Sequence, residues 1–220
     1  MKQYLFIILC FLSTKVMSQQ SNFQCGDIID INGTKAIIYK VDELGLHGVA
    51  MSVKCLRGIK DMWCRDNHLD KTMPSTLSEY DGMENTRQII AFAKRNGVLQ
   101  KFPVFEWCNK LGEQWYIPSK KELEDFVNFW LGNEQTLDWD SEEEIENEID
   151  ENQPYYKKIN KTLIDAGGVP FINGVFTSTV TADGKVYVFW FNRQKNTWSF
   201  KKESKANLSK YLVGRAFIRF

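Results

Sequence analysis

Near the C-terminal end, six consecutive residues, Val186-Tyr187-Val188-Phe189-Trp190-Phe191, are all apolar. Side chains alternate between the two faces of an extended strand, so both faces of this one must be shielded from water. A single helix layer would cover one face and leave the other wet, which predicts a central strand with material packed on each side. Its neighbours fit that role. Val175 to Val180 precedes it across a turn at Ala182-Asp183-Gly184, about Thr197 to Lys202 follows it, and Tyr211 to Phe220 reads as a closing strand.

The other end of the mature chain is also strand-like. Residues 26–41 contain two β-rich runs separated by Asn32-Gly33, a pair suited to a tight hairpin because both turn positions take positive φ. A third strand, about Gly48 to Val53, follows a polar turn, giving an N-terminal β-meander. From Asp81 the period becomes helical, with Ile89, Ile90 and Ala93 on one face and Gly97 as the stop. A short helix is expected from Pro103 to near Gly112, and another around Ile159 and Leu163 that ends at Gly167-Gly168. Between them stands the clearest local signal, Pro118-Ser119-Lys120-Lys121-Glu122. Here Ser119 and Glu122 form a capping box, Leu123, Phe126, Val127, Trp130 and Leu131 make an apolar stripe, and Gly132 ends the helix. Strands at both ends with helices between them indicate an α+β domain rather than alternating βαβ units.

Residues 1–18 have the order of a signal peptide: Lys2, then apolar Leu5 to Leu12, then Val16-Met17-Ser18 at a cleavage point. The apolar run falls well short of the ~20 residues that span a bilayer. The expectation is an exported chain whose mature part, residues 19–220, is one domain acting in the periplasm, at the cell surface or outside the cell. Without Lys2 and Lys15 that part carries 26 basic against 28 acidic residues, a net charge of −2, and lacks the basic excess of a nucleic-acid surface. Nine of the fourteen positions from 138 to 151 are acidic, a density expected of a solvated insertion or exposed helix. Cys25, Cys55, Cys64 and Cys108 remain after cleavage; an oxidising compartment permits two disulfides among them in three connectivities, and buried thiols are the alternative.

Catalytic patterns are missing from the sequence. His47 and His68 belong to no zinc motif, and no Gly-x-Ser-x-Gly elbow or phosphate loop occurs. Cys108 reads as a core thiol or disulfide partner before it reads as a nucleophile. Aromatic side chains carry the better argument for binding. Trp63, Trp139 and Trp198 sit beside polar residues in predicted loops or edges, where an indole can stack on a sugar ring and donate its N–H; Trp115, Trp130 and Trp190 fall at core positions. Arg215 and Arg219 share one face of the expected last strand, where they would grip a ligand's carboxylates or sulfates or pair with the protein's own acids.

Several segments together resemble the DUF1566 group of exported bacterial domains, also called the C-terminal domain of the Legionella collagen-like protein, and its relative the Fibrobacter major paralogous domain. They are Gln114-Trp115-Tyr116-Ile117-Pro118-Ser119-Lys120-Lys121-Glu122-Leu123, Ala166-Gly167-Gly168, Phe176-Thr177-Ser178-Thr179 and Val213-Gly214-Arg215-Ala216-Phe217-Ile218-Arg219. The opening meander looks like one that precedes such domains in Bacteroidetes. Tyr116 stands where the family has arginine, and the acidic stretch looks like an insertion. The resemblance implies a C-type-lectin-like fold with two or three helices, paired chain ends and C-terminal antiparallel strands. It implies adhesion only loosely.

Lectin-like folds often use calcium, yet no motif supports it here: Asp138-x-Asp140-x-Glu142 opens like a calcium loop but lacks the turn glycine and the closing acid. Phe191-Asn192-Arg193 is the nearest approach to a lectin sugar triplet, which makes Asn192 and Arg193 candidate ligand contacts beside the three tryptophans. The expectation is a non-catalytic binding module for a glycan or an extracellular protein, with no cofactor. The alternative is a structural or accessory envelope protein acting through protein–protein contacts.

Overall fold

Asn32 and Gly33 take φ values of 53° and 82°, closing the first hairpin as their residue types require. The computed structural model describes residues 22–58, 63–65, 77–132, 147–148, 154–171, 174–192, 195, 197–204 and 212–220. In chain order, β1 (Ile28–Ile31), β2 (Thr34–Val41) and β3 (Gly48–Ser52) lead to α1 (Gly82–Arg95), a 3-10 turn (Leu99–Lys101) and α2 (Pro103–Leu111). Then come β4 (Trp115–Tyr116), α3 (Lys120–Leu131), β5 (Asn147–Glu148) and α4 (Pro154–Asp165). The chain finishes with β6 (Gly174–Val180), β7 (Lys185–Asn192), β8 (Thr197–Ser204), β9 (Leu212–Val213) and β10 (Phe217–Arg219).

Two five-stranded sheets result, ordered β1-β2-β3-β10-β4 and β5-β8-β7-β6-β9. The first is antiparallel throughout, and β10 lies between β3 and β4, so the chain end pairs with the opening meander. In the second, β7 is central between β6 and β8, as its uninterrupted apolar run demands. Two expectations need correction. The segment from Tyr211 to Phe220 is not one strand: β9 joins the second sheet, β10 joins the first, and Gly214, bridged to Leu56, begins the crossover. The C-terminal strands are also not all antiparallel, because β9 runs parallel to β6.

Alternation in the strands sorts the interior into two cores. Val186 and Val188 of β7 face one, shared with Ile38, Ala50 and Ile218 and covered by Ile89 and Ala93 of α1 and Val104, Phe105 and Cys108 of α2. Tyr187 and Phe189 face the other, with Ile37, Met51 and Phe217, under the α3 stripe and Ile159 and Leu163 of α4. The two sheets thus form a middle layer between two pairs of helices. Four α-helices among the described residues, rather than two or three, supply the cover on both sides that the β7 sequence requires.

The helix ends follow their capping residues. Asp81 accepts the Glu84 amide at the start of α1. Ser119 and Glu122 complete the capping box of α3, which stops at Gly132 in the left-handed region at φ 71°. Of the acidic stretch only Asn147 and Glu148 are described, and they pair as an edge strand with Trp198 and Thr197. No described helix is long and apolar enough to cross a membrane.

Candidate functional site

Two of the three tryptophans chosen from sequence as ligand platforms, Trp63 and Trp198, are buried. Trp63 is 0% exposed, packs edge-on against Phe102 and Phe105, and donates its indole N–H to the Thr177 carbonyl at 2.9 Å. Its polar neighbours in sequence misled because long-range packing, which they do not report, sets its burial. Trp198 is 3% exposed in β8 beside Phe189 and Phe200. The two belong to opposite cores and cannot share a patch. Asn192 is exposed at the end of β7, where its side-chain oxygen accepts the Lys195 amide. Trp139 and Arg193 lie outside the described residues. Trp115 and Trp130 are core residues as expected, while Trp190 is half-buried.

A cleft of about 390 Å³ offers a better site, and it uses a tryptophan that sequence patterning passed over. Trp107 lies on α2 at the edge of its buried stripe, half-buried, and lines the cleft with Leu111. Opposite it, the β1–β2 hairpin supplies Thr34 and Lys35 and the end of β3 supplies Lys54; the turn after α4 closes the side at Gly167. Both lysines are exposed, neither pairs with an acid among the described residues, and no described lining residue is acidic.

The floor of the cleft is pinned by an unusual cation. Arg215, in the crossover from β9 to β10, is 1% exposed. Its Nη1 donates to the carbonyls of Ser52 and Val53 at 3.1 and 2.9 Å, and its Nη2 to those of Val169 and Pro170 at 2.8 and 3.1 Å. No carboxylate pairs with it among the described residues, and burial lowers its pKa from 12.5 to about 10, so it stays charged at neutral pH. Gly168 makes the approach possible: a Cβ there would sit 2.2 Å from the Val53 carbonyl oxygen. The cleft is therefore lined by two lysines that make no ion pair among the described residues, by a half-buried tryptophan, and by backbone that a buried guanidinium holds. Such a surface favours anions that carry an apolar or ring face.

Neither a family model nor a curated protein matches the chain. A fimbrial protein from Bacteroides ovatus is similar in structure. The likeness has a TM-score of 0.44 and 15% identity over 79% of this chain, and the chain spans 36% of that protein's length.

Arg219 follows the second of the two readings given for it, pairing within the protein rather than gripping a ligand. Its Nη2 donates to Glu122 Oε1 at 2.8 Å and Asp81 Oδ1 at 3.2 Å, and its guanidinium lies over the Tyr116 ring, so it pairs with the protein's own acids. Among the described residues no group of three or more His, Cys, Asp or Glu converges as a metal site would require.

Of the two readings given for the cysteines, Cys25, Cys55 and Cys108 form no disulfide among the described residues, and Cys64 and Cys108 are buried in the first core. Burial pushes the Cys108 thiol far above its ordinary value of 9.0, and Cys55 shifts the same way. Above pH 9 the unfolded chain releases the Cys108 proton while the folded one keeps it, so the folded state binds more protons and stability falls as pH rises. The slope approaches about 1.4 kcal/mol per pH unit for that group. Urea denaturation at pH 8, 9 and 10 is expected to show this decline, and Cys108→Ala is expected to flatten it. An equal slope in the variant would remove Cys108 as its source.

Proposed function

We propose that this chain is an exported, surface-exposed binding module that holds a carboxylate- or sulfate-bearing glycan in the Trp107 cleft without covalent chemistry. The observation carrying this reading is that Lys35 and Lys54, without an ion pair among the described residues, line one cleft with a half-buried indole and no described acid. A sugar ring stacks on the indole through its C–H face while its anionic substituent meets the ammonium groups. The pairing of β10 with the opening meander supports the lectin-like comparison and, with the motifs around Trp115 and Arg215, kinship to the DUF1566 group. The reading requires no calcium or other cofactor.

A glycan array containing uronate, sialate and sulfated sugars beside neutral ones tests the proposal. Binding is expected to favour the acidic sugars and to weaken with added salt, as exposed charges are screened within roughly 10 Å at 0.1 M. Trp107→Ala is expected to weaken it about tenfold through loss of stacking. Joint replacement of Lys35 and Lys54 by glutamine is expected to erase the preference for acidic over neutral sugars. No sugar signal alongside a reproducible protein partner would replace this reading with that of a structural envelope component.

A further inference from the structure

On the other side of α2 lies a second concavity, a groove of about 280 Å³ between α1 and the segment from Asn109 to Trp115. Met83, Arg87, Ile90 and Lys94 of α1 line it, spaced four, three and four residues apart so that they share one helical face. This stripe flanks the one that α1 buries, which runs through Asn85, Thr86, Ile89 and Ala93, and Thr86 borders the groove as well. Three features of the groove act together. Met83 and Ile90 are half-buried and give it an apolar wall. Arg87 is exposed and makes no ion pair among the described residues; Glu84, one turn before it, accepts from Gln88, and Lys94 donates to Asn109. Trp115 is 2% exposed, and among the described residues its indole N–H meets no acceptor.

An unpaired buried N–H is uncommon, because its desolvation is left uncompensated. Gly112 adjoins the same edge of the indole. A Cβ on this residue would lie 3.6 Å from Trp115 Cδ1, the atom bonded to Nε1, so the bare glycine leaves room on that edge of the ring. Its φ of 134° is a conformation that other residues rarely adopt, so the gap is built into the backbone.

We infer that this groove binds a small carboxylate with an aromatic or branched aliphatic body. The body packs between Met83 and Ile90. The carboxylate forms a forked pair with Arg87 and turns one oxygen toward the indole N–H of Trp115. The modest volume excludes a long ligand and suits a single ring or branched chain. Glu113, the acid of the described lining, repels a carboxylate and so sets an upper limit on affinity. This site is separate from the glycan cleft, which Trp107 and Leu111 line from α2, and either can exist without the other.

Isothermal titration of the full mature chain with phenylacetate and its uncharged counterpart phenylacetamide tests the inference. Phenylacetate is expected to bind saturably and phenylacetamide about tenfold more weakly or worse, since the amide loses the charge-assisted fork. Arg87→Gln changes an exposed residue and should leave folding intact; it is expected to equalise the two ligands. Glu113→Gln is expected to tighten phenylacetate a few-fold, and Trp115→Phe, which removes the N–H donor together with the indole's five-membered ring, to weaken it. Absence of saturable phenylacetate binding, equal binding of acid and amide, or unchanged affinity in Arg87→Gln overturns the assignment.

Discussion

Replacing Arg215 by methionine is expected to lower the unfolding free energy by about 3 kcal/mol, although no ion pair is lost. Two large terms oppose each other. Burial holds the guanidinium near pKa 10, so the site solvates the cation less well than water does, and methionine would be relieved of that cost, on the order of 3 kcal/mol. Against this, the carbonyls of Ser52, Val169 and Pro170 lose the donors that Arg215 gives them, at about 1–3 kcal/mol each. The Val53 carbonyl suffers less because the Val169 amide also donates to it. The orphaned acceptors outweigh the relieved cation. Arg215→Lys is expected to fall between the two, since one ammonium cannot fork across the end of β3 and the segment before β6. Chemical denaturation checks the ordering, and a change under 1 kcal/mol for methionine would mean that water replaces the guanidinium. Because Arg215 fixes Ser52 and Val53 in the cleft floor, the methionine variant is also expected to bind acidic glycans less well without touching them.

This residue shows where sequence reasoning stops. Local signals with local causes were legible: Asn32-Gly33 formed its turn, Ser119 and Glu122 formed their box, and the apolar run in β7 became a central strand with helices on both sides. The α+β class followed from those elements. Arg215 was expected on the last strand and instead sits in the crossover between β9 and β10, with partners no pattern announced, because carbonyls at Ser52, Val53, Val169 and Pro170 leave no trace in side-chain identity. Trp63 failed for a related reason: its burial depends on Phe102, Phe105 and the Thr177 carbonyl, all far away in the chain. Trp107 was detectable in principle. It stands at the margin of the stripe formed by Val104, Cys108 and Leu111, and a large aromatic at such a margin is the one a helix presents to a neighbouring cleft.

Glu122→Ala is expected to cost about 4 kcal/mol, because one carboxylate serves two helices. Oε2 accepts the amide of Ser119, completing the box of α3, and the amide of Gly82 at the first turn of α1, both at 3.0 Å. Oε1 accepts the Tyr116 hydroxyl at 2.9 Å and Arg219 at 2.8 Å. The positive ends of two helix dipoles therefore meet the same negative charge, tying α1 to α3 across β4 and β10. Gly82 is required for the approach: a Cβ there would lie 2.5 Å from the Ile117 oxygen and the Ser119 nitrogen and 2.6 Å from Glu122 Oε2. Alanine at 122 would strand buried donors on three elements at once. Glutamine is expected to cost about half as much, since its oxygen can serve one pair of donors while its NH2 confronts the other. Tyr116 provides an independent readout. Burial first, and the Glu122 charge second, hold its phenol well above 10. In Glu122→Gln the hydroxyl is expected to ionise at lower pH than in the parent, while burial still keeps it above the ordinary value. Ultraviolet titration of tyrosine, paired with hydrogen exchange at the Gly82 and Ser119 amides, separates the outcomes. Faster exchange at both amides together is the signature of a shared carboxylate, whereas faster exchange at Ser119 alone would reduce Glu122 to an ordinary capping residue.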